Sequence, residues 1–255
     1  MVFLIISSRF IESVFYMKTA LITGGAQRIG AQIAQTLHDN GFNIIIHYRH
    51  SKQAAEALAQ ALNAQRSDSA EIIQAELSSL KDIQALSQSI DQLDVLVNNA
   101  SVFYPTPVED ADQDTWHNIM DTNVMAPFFL SQSLTNTLRK TSGCIINIID
   151  IHGERPLKNH AIYNISKAGI AMMTKSLAKE LAPEIRVCGV SPGSILWPEN
   201  EASLTDEQKN KMLNKIALGK QGSATDIANT VLFLANSPYI TGQIISVDGG
   251  RTLNQ

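Results

Sequence analysis

Seven short runs along the chain are almost continuously apolar: 18–23, 42–47, 70–75, 93–97, 144–149, 185–190 and 244–247. A strand buried on both faces reads this way, whereas a half-exposed strand would alternate. Between the runs lie segments with helical spacing, expected from the first glycine loop to about 40, then over 51–65, 80–90, 113–139, 161–181 and 224–235. Strand–helix alternation of this kind requires a parallel sheet with helices on both faces and right-handed crossovers. The expected fold is therefore α/β: one doubly wound, Rossmann-type domain of about seven parallel strands over 17–255. No linker, repeat or composition break divides it. The polar stretch 196–218 is expected to be a substrate-loop insertion at the C-terminal edge of the sheet, where such folds bind ligands.

Bulk properties exclude several classes. A net charge of −4 over 255 residues leaves no basic stripe for nucleic acid. The two cysteines, Cys144 and Cys188, both lie in strand runs, the pattern of buried free thiols in a reducing, cytoplasmic compartment. No His, Cys or acid spacing resembles a metal site. Residues 1–16 are apolar but interrupted by Arg9 and Glu12, shorter than a membrane span of about 20 residues, and without a signal peptide's basic start. They are expected to be an extension outside the fold, with a membrane-associating tail as the weaker alternative; no membrane partner is expected.

The first strand runs into Thr23-Gly24-Gly25-Ala26-Gln27-Arg28-Ile29-Gly30 and then a helix. Glycines here let the backbone approach a pyrophosphate, and the helix N-terminus supplies N–H donors and a favourable dipole. Arg28 stands where glycine is common; it is either a surface residue or a guanidinium facing phosphate or an anionic substrate. The second strand ends in His47-Tyr48-Arg49-His50-Ser51. An acid there would select NAD; this basic cluster instead suits the 2′-phosphate of NADPH. Ser51 could equally cap the next helix, and both roles can hold. Glu76-Leu77 after the third strand is either an adenine contact or a strand-end surface feature.

The run 144–149 ends on Asp150, and Tyr163 and Lys167 follow one helical turn apart, on one face. A cation there can lower the cost of ionising the phenol, and a strand-end acid pointing at the pair would complete a proton-handling site. Taken alone, such a pair is also compatible with a solvated helix surface.

These residues resemble the short-chain dehydrogenase/reductases over everything from Lys18 onward: TGGAQRIG, NNA, Y-N-I-S-K and the SPG turn occur in family order. The chain is more specifically similar to the pteridine reductase branch, including bacterial dihydromonapterin/dihydrofolate reductases, through Arg28, HYRHS, NNASVFYPTP, GSILWPE and Asp150, which stands where most of the superfamily has a catalytic serine. The resemblance implies that Tyr163 donates a proton, that Lys167 binds the nicotinamide ribose and depresses the Tyr163 pKa, that Asp150 hydrogen-bonds the Tyr163 hydroxyl, and that Asn123 is a structural and proton-relay residue. It implies that Ser101 and Phe103 bind the pterin, Phe103 by stacking opposite the nicotinamide. It further implies that Asn99, Ala100, Ser101, Pro192, Gly193 and Ser194 line the cofactor. Glu76 departs from the usual Asp, and which of Arg49, His50 and Ser51 holds the phosphate stays open.

The chemistry points the same way. A carboxylate at position 150 would repel the oxyanion developing on a ketone, but reduction of a C=N bond protonates nitrogen instead. A Phe after the fourth strand suits a flat aromatic substrate, unless it is a core aromatic. The expected function is NADPH-dependent reduction of a dihydropterin, dihydromonapterin or dihydrofolate. The alternatives are a carbonyl reductase with an eccentric Asp150 and a non-catalytic NADP-binding regulator. Helices at 113–139 and 161–181, with Ala, Met and Leu suited to close packing, are the faces through which such proteins form homotetramers.

Overall fold

The computed structural model describes residues 16–195 and 205–253. All seven expected strands form: β1 (Thr19–Ile22), β2 (Asn43–Tyr48), β3 (Ala70–Gln74), β4 (Val95–Asn98), β5 (Cys144–Ile148), β6 (Arg186–Pro192) and β7 (Ile244–Val247). They pair in parallel in the order β3-β2-β1-β4-β5-β6-β7. The helices are α1 (Arg28–Asp39), α2 (Lys52–Gln65), α3 (Leu80–Gln88), α4 (Gln113–Met120), α5 (Ala126–Thr141), α6 (Ala161–Glu180), α7 (Asp206–Leu213) and α8 (Ala224–Ala235).

Period-2 geometry explains the unbroken apolar runs. Ala20, Ile22, Ile44, Ile46, Val95, Val97, Ile146 and Val190 face one buried cluster with α1, α2 and α8. Their neighbours Leu21, Ile45, Leu96, Ile145 and Val187 face the other, with α3, α5 and the end of α6. Both faces are covered, so the strands are apolar apart from side chains with buried hydrogen-bond partners, such as Asn98, which donates to Asn147, and Asn147, which donates to Thr174. Strand order reverses beside β1, so the loops after β1 and β4 part at a crevice at the carboxyl ends of the strands.

The helical region expected over 113–139 forms, running without interruption from α4 into α5 through one wide turn at Asp121–Met125, where the Ala126 N–H reaches back five residues to the Asp121 carbonyl. One element was not expected. The polar stretch near 206 contains α7, started by a capping box in which Thr205 and Gln208 exchange side-chain and backbone hydrogen bonds. Its weak amphipathicity hides it from a periodicity search, but the T-x-x-Q start was readable. Residues 196–204 of the expected insertion and 1–15 of the expected extension lie outside the described residues. Tyr16 is tied to the strand layer: its phenol donates to Asp94 Oδ1 at 2.6 Å, and the Thr19 N–H donates to Asp94 Oδ2.

Candidate active site

The crevice is held shut at its base by a clamp between the β1 and β4 loops. Thr23 Oγ1 accepts the N–H groups of Asn99 and Ala100, at 2.9 and 3.0 Å. The Asn99 amide donates back to the Thr23 and Gly24 carbonyls. Gly30 is glycine because of this clamp: a Cβ would sit 2.7 Å from Asn99 Nδ2 and closer still to the Gly24 carbonyl. Helix α1 starts at Arg28 with no side-chain cap, leaving its N-terminal dipole facing the crevice. Arg28 itself has φ 53°, the left-handed conformation that the glycine common at this place would take without strain. Ile29 packs against the core.

The β2 cluster divides by burial. His47 is buried: its Nδ1 accepts the Gly24 N–H at 3.1 Å, so its Nε2 carries the proton and donates to the Ala75 carbonyl. Burial holds its pKa below the usual value, against the opposing bond to Ala75 and the charge of Glu76. Expected as a cofactor ligand, the His47 side chain instead supports the glycine loop, with both ring nitrogens engaged. Tyr48 and Leu77 are likewise buried in the two core clusters rather than turned to the crevice. Arg49 and His50 are exposed. Arg49 Nε pairs with Glu76 Oε2 at 2.5 Å, and Ser51 Oγ donates to Gln27 Oε1. A guanidinium, an imidazole and a hydroxyl at the end of β2, beside an uncapped helix start, are donors that fit a phosphorylated dinucleotide.

Asp150, at the end of β5, caps a short turn: its Oδ1 accepts the His152 N–H at 2.8 Å, and its Oδ2 accepts the Tyr163 phenol at 2.8 Å. Gly153 permits this, because a Cβ there would meet the Lys167 carbonyl carbon and oxygen at 2.9 Å. The loop therefore lies flat on α6, with Asp150 over Tyr163. Lys167 is buried; its Nζ donates to the Ile148 carbonyl at 3.2 Å and lies 5.5 Å from the Tyr163 ring centroid. Burial pushes its pKa down to about 8, with the Asp150 carboxylate pulling the other way. The expected depression of the Tyr163 pKa is reversed. Burial, then the charge and the accepted hydrogen bond of Asp150, push the phenol up, so Tyr163 holds its proton.

Asn123, on the wide turn, is fully engaged. Its Oδ1 accepts from Ser101 Oγ and the Val102 N–H, and its Nδ2 donates to the Val102 carbonyl and Ser166 Oγ. Ser166 Oγ in turn donates to the Tyr163 carbonyl. Asn123 thus locks the 101–102 loop onto the helix that carries Tyr163. Phe103 projects from that loop, 53 % exposed, so it is no core aromatic. Its ring meets Tyr163 edge-on at 4.8 Å and stacks on His160 at 4.8 Å and 16°. Ser166 and His160 were not singled out in the sequence. A small polar residue on the buried face of α6, between Tyr163 and Lys167, was the available signal for the first; nothing local marks the second. The Gly193 N–H donates to the Val247 carbonyl, and the Ser194 carbonyl accepts from Gly222, which fixes the turn after β6. Among the described residues, no helix is long and apolar enough to cross a membrane, and no cluster of potential metal ligands occurs.

A dinucleotide crevice with a Tyr–Lys pair beside it defines a nucleotide-dependent oxidoreductase. The family model described as enoyl-(acyl carrier protein) reductase matches residues 24–252. The 3-oxoacyl-[acyl-carrier-protein] reductase FabG of Staphylococcus aureus (strain Mu50) is 39 % identical over 241 residues, covering 91 % of this chain and 97 % of that one. Pteridine reductase 1 of Leishmania tarentolae is 33 % identical over 282 residues, covering 92 % and 96 %. An uncharacterized oxidoreductase of Bacillus subtilis, YmfI, is 35 % identical over 238 residues, covering 91 % and 98 %. The chain belongs to the short-chain dehydrogenase/reductase superfamily and is an NAD(P)-dependent oxidoreductase.

Proposed function

We propose that the protein is an NADPH-dependent pteridine reductase, acting on a C=N bond of a dihydropterin, dihydromonapterin or dihydrofolate to give the tetrahydro form. The observation that carries this reading is the Tyr163 phenol donating to Asp150 at 2.8 Å, on a tyrosine whose ring meets Phe103 edge-on. A ketone reductase needs its tyrosine proton aimed at the carbonyl oxygen and no negative charge nearby. Here the proton is held by a carboxylate and the phenol is the weaker acid for it. Protonation of a ring nitrogen tolerates a carboxylate, which can relay the proton from solvent through Tyr163.

The reduced nicotinamide of a bound NADPH supplies the hydride. Lys167 holds the ribose and keeps positive charge beside Asp150 and Tyr163. Phe103 offers a flat face to the pterin, a contact of about 0.5–1.5 kcal/mol beyond area burial. Ser101 and Arg28 bind the pterin's polar edge or an anionic tail, and Asn123 keeps the Ser101 loop seated. Gly24–Ile29, Arg49–Ser51, Asn99–Ser101 and Pro192–Ser194 would hold the cofactor.

The second reading, a carbonyl reductase, is favoured by the 39 % identity to the 3-oxoacyl-[acyl-carrier-protein] reductase. Purified protein with NADPH separates the two. Loss of absorbance at 340 nm on dihydrobiopterin, dihydromonapterin or dihydrofolate, with none on an acetoacetyl thioester, is expected; the opposite pattern overturns the pterin reading. Asp150→Ser should lower pterin turnover about 100-fold or more, the scale of a lost acid–base group, while leaving or improving any ketone activity.

A further inference from the structure

We propose that Glu76 is a cofactor-selectivity residue: an internal counter-ion on Arg49 Nε with which the 2′-phosphate of an incoming cofactor must compete for the guanidinium. The inference rests on the NADPH reading above. Arg49 Nε meets Glu76 Oε2 at 2.5 Å, at the end of β2, where the phosphate-binding charge is expected. Glu76 does not reach there by chance of rotamer. Its other oxygen, Oε1, accepts from the Ser78 N–H at 3.1 Å and the Ser78 hydroxyl at 2.9 Å, and its own N–H donates to Asp82 Oδ2. Arg49 is anchored from its main chain, whose carbonyl accepts from Gln74 Nε2. Burial alone would raise the Glu76 carboxyl, but the Ser78 hydrogen bonds and the charges of Arg49 and His50 hold it below its usual range, so it is charged at neutral pH.

Consequences follow for the two cofactors. A phosphate dianion is a better partner for a guanidinium than a carboxylate monoanion and can take Arg49 away. It must then sit beside the carboxylate it has displaced, which repels it. A cofactor lacking the phosphate leaves the Arg49–Glu76 pair intact and feels neither effect. Both side chains of the pair are partly exposed, so screening keeps the competition modest. Glu76 therefore restrains preference for the phosphorylated cofactor. This differs from an adenine contact, whose loss would weaken both cofactors alike.

The test is binding rather than turnover: isothermal titration of the full chain with NADP⁺, NAD⁺ and 2′,5′-ADP. Glu76→Gln should bind NADP⁺ and 2′,5′-ADP about two- to fivefold more tightly, the upper range for an exposed ion pair, with NAD⁺ unchanged within experimental error. Glu76→Ala should change affinity in the same direction. In an Arg49→Ala background the gain should vanish. Equal weakening of NADP⁺ and NAD⁺ by Glu76→Gln makes Glu76 an adenine ligand and overturns the proposal, as does an unchanged ratio. A wild type that prefers NAD⁺ refutes the NADPH reading but not this one, which stands if Glu76→Gln still moves the ratio towards the phosphorylated cofactor.

Discussion

Arg28 shows how a single residue can trade backbone comfort for chemistry. At φ 53° an L side chain carries a cost of about 1–2 kcal/mol that glycine avoids. Strain of this kind is retained where the side chain has a task. Arg28→Gly is therefore expected to keep or raise the melting temperature while raising KM for anionic dihydrofolate about tenfold, the scale of one charged hydrogen bond. Steady-state kinetics on dihydrofolate and on an uncharged dihydropterin checks it; equal losses on both would remove Arg28 from the anion-binding role. Asp150 is the same lesson in electrostatics. The Tyr–Lys spacing alone predicts an acidified phenol, yet burial, reinforced by a carboxylate 2.8 Å from the hydroxyl, reverses the sign.

The β1–α1 loop keeps its shape through β2. Gly24 donates to His47 Nδ1, and that bond exists only while His47 is neutral. Its folded pKa lies below 6.5, so native protein resists the proton that the unfolded chain accepts. Stability from this group is complete above about pH 6.5 and is lost as pH falls from there towards the folded pKa, by up to about 1.4 kcal/mol per pH unit. Urea denaturation from pH 8 to pH 5 should show that decline, and His47→Gln should flatten it at a lower plateau. The wide turn at Asp121–Met125 is a second device at this scale. By inserting a residue between α4 and α5 it aims Asn123 at the 101–102 loop, in keeping with the association of such turns with functional sites.

At the scale of the molecule, one face stands out. Between the wide turn, α5 and α6 lies an apolar groove of about 500 Å³, lined by residues including Met125, Phe128, Met172 and Met173. Met172 is 62 % exposed and Phe128 39 %. These are the helices expected to build a homotetramer. Light scattering should give a mass four times the chain's 27.9 kDa, and Met172→Glu should give a smaller species of lower thermal stability; a monomeric wild type would refute the assembly.

Strand number, the helices other than α7, and the nearness of Asp150 to the Tyr163–Lys167 pair were legible in the sequence, because burial of both sheet faces writes itself into local composition and because a strand-end acid and a Tyr–Lys spacing are chemically conspicuous. Only the tertiary structure decided what those residues touch. His47 meets Gly24 across 23 positions, Glu76 meets Arg49 across 27, and Asp150 lies over Tyr163 because Gly153 lets its loop rest on α6. Periodicity specifies an element; partners on different elements are fixed by crossover and register. Hence position alone did not separate a phosphate ligand from a loop support, or an acidified phenol from one that keeps its proton.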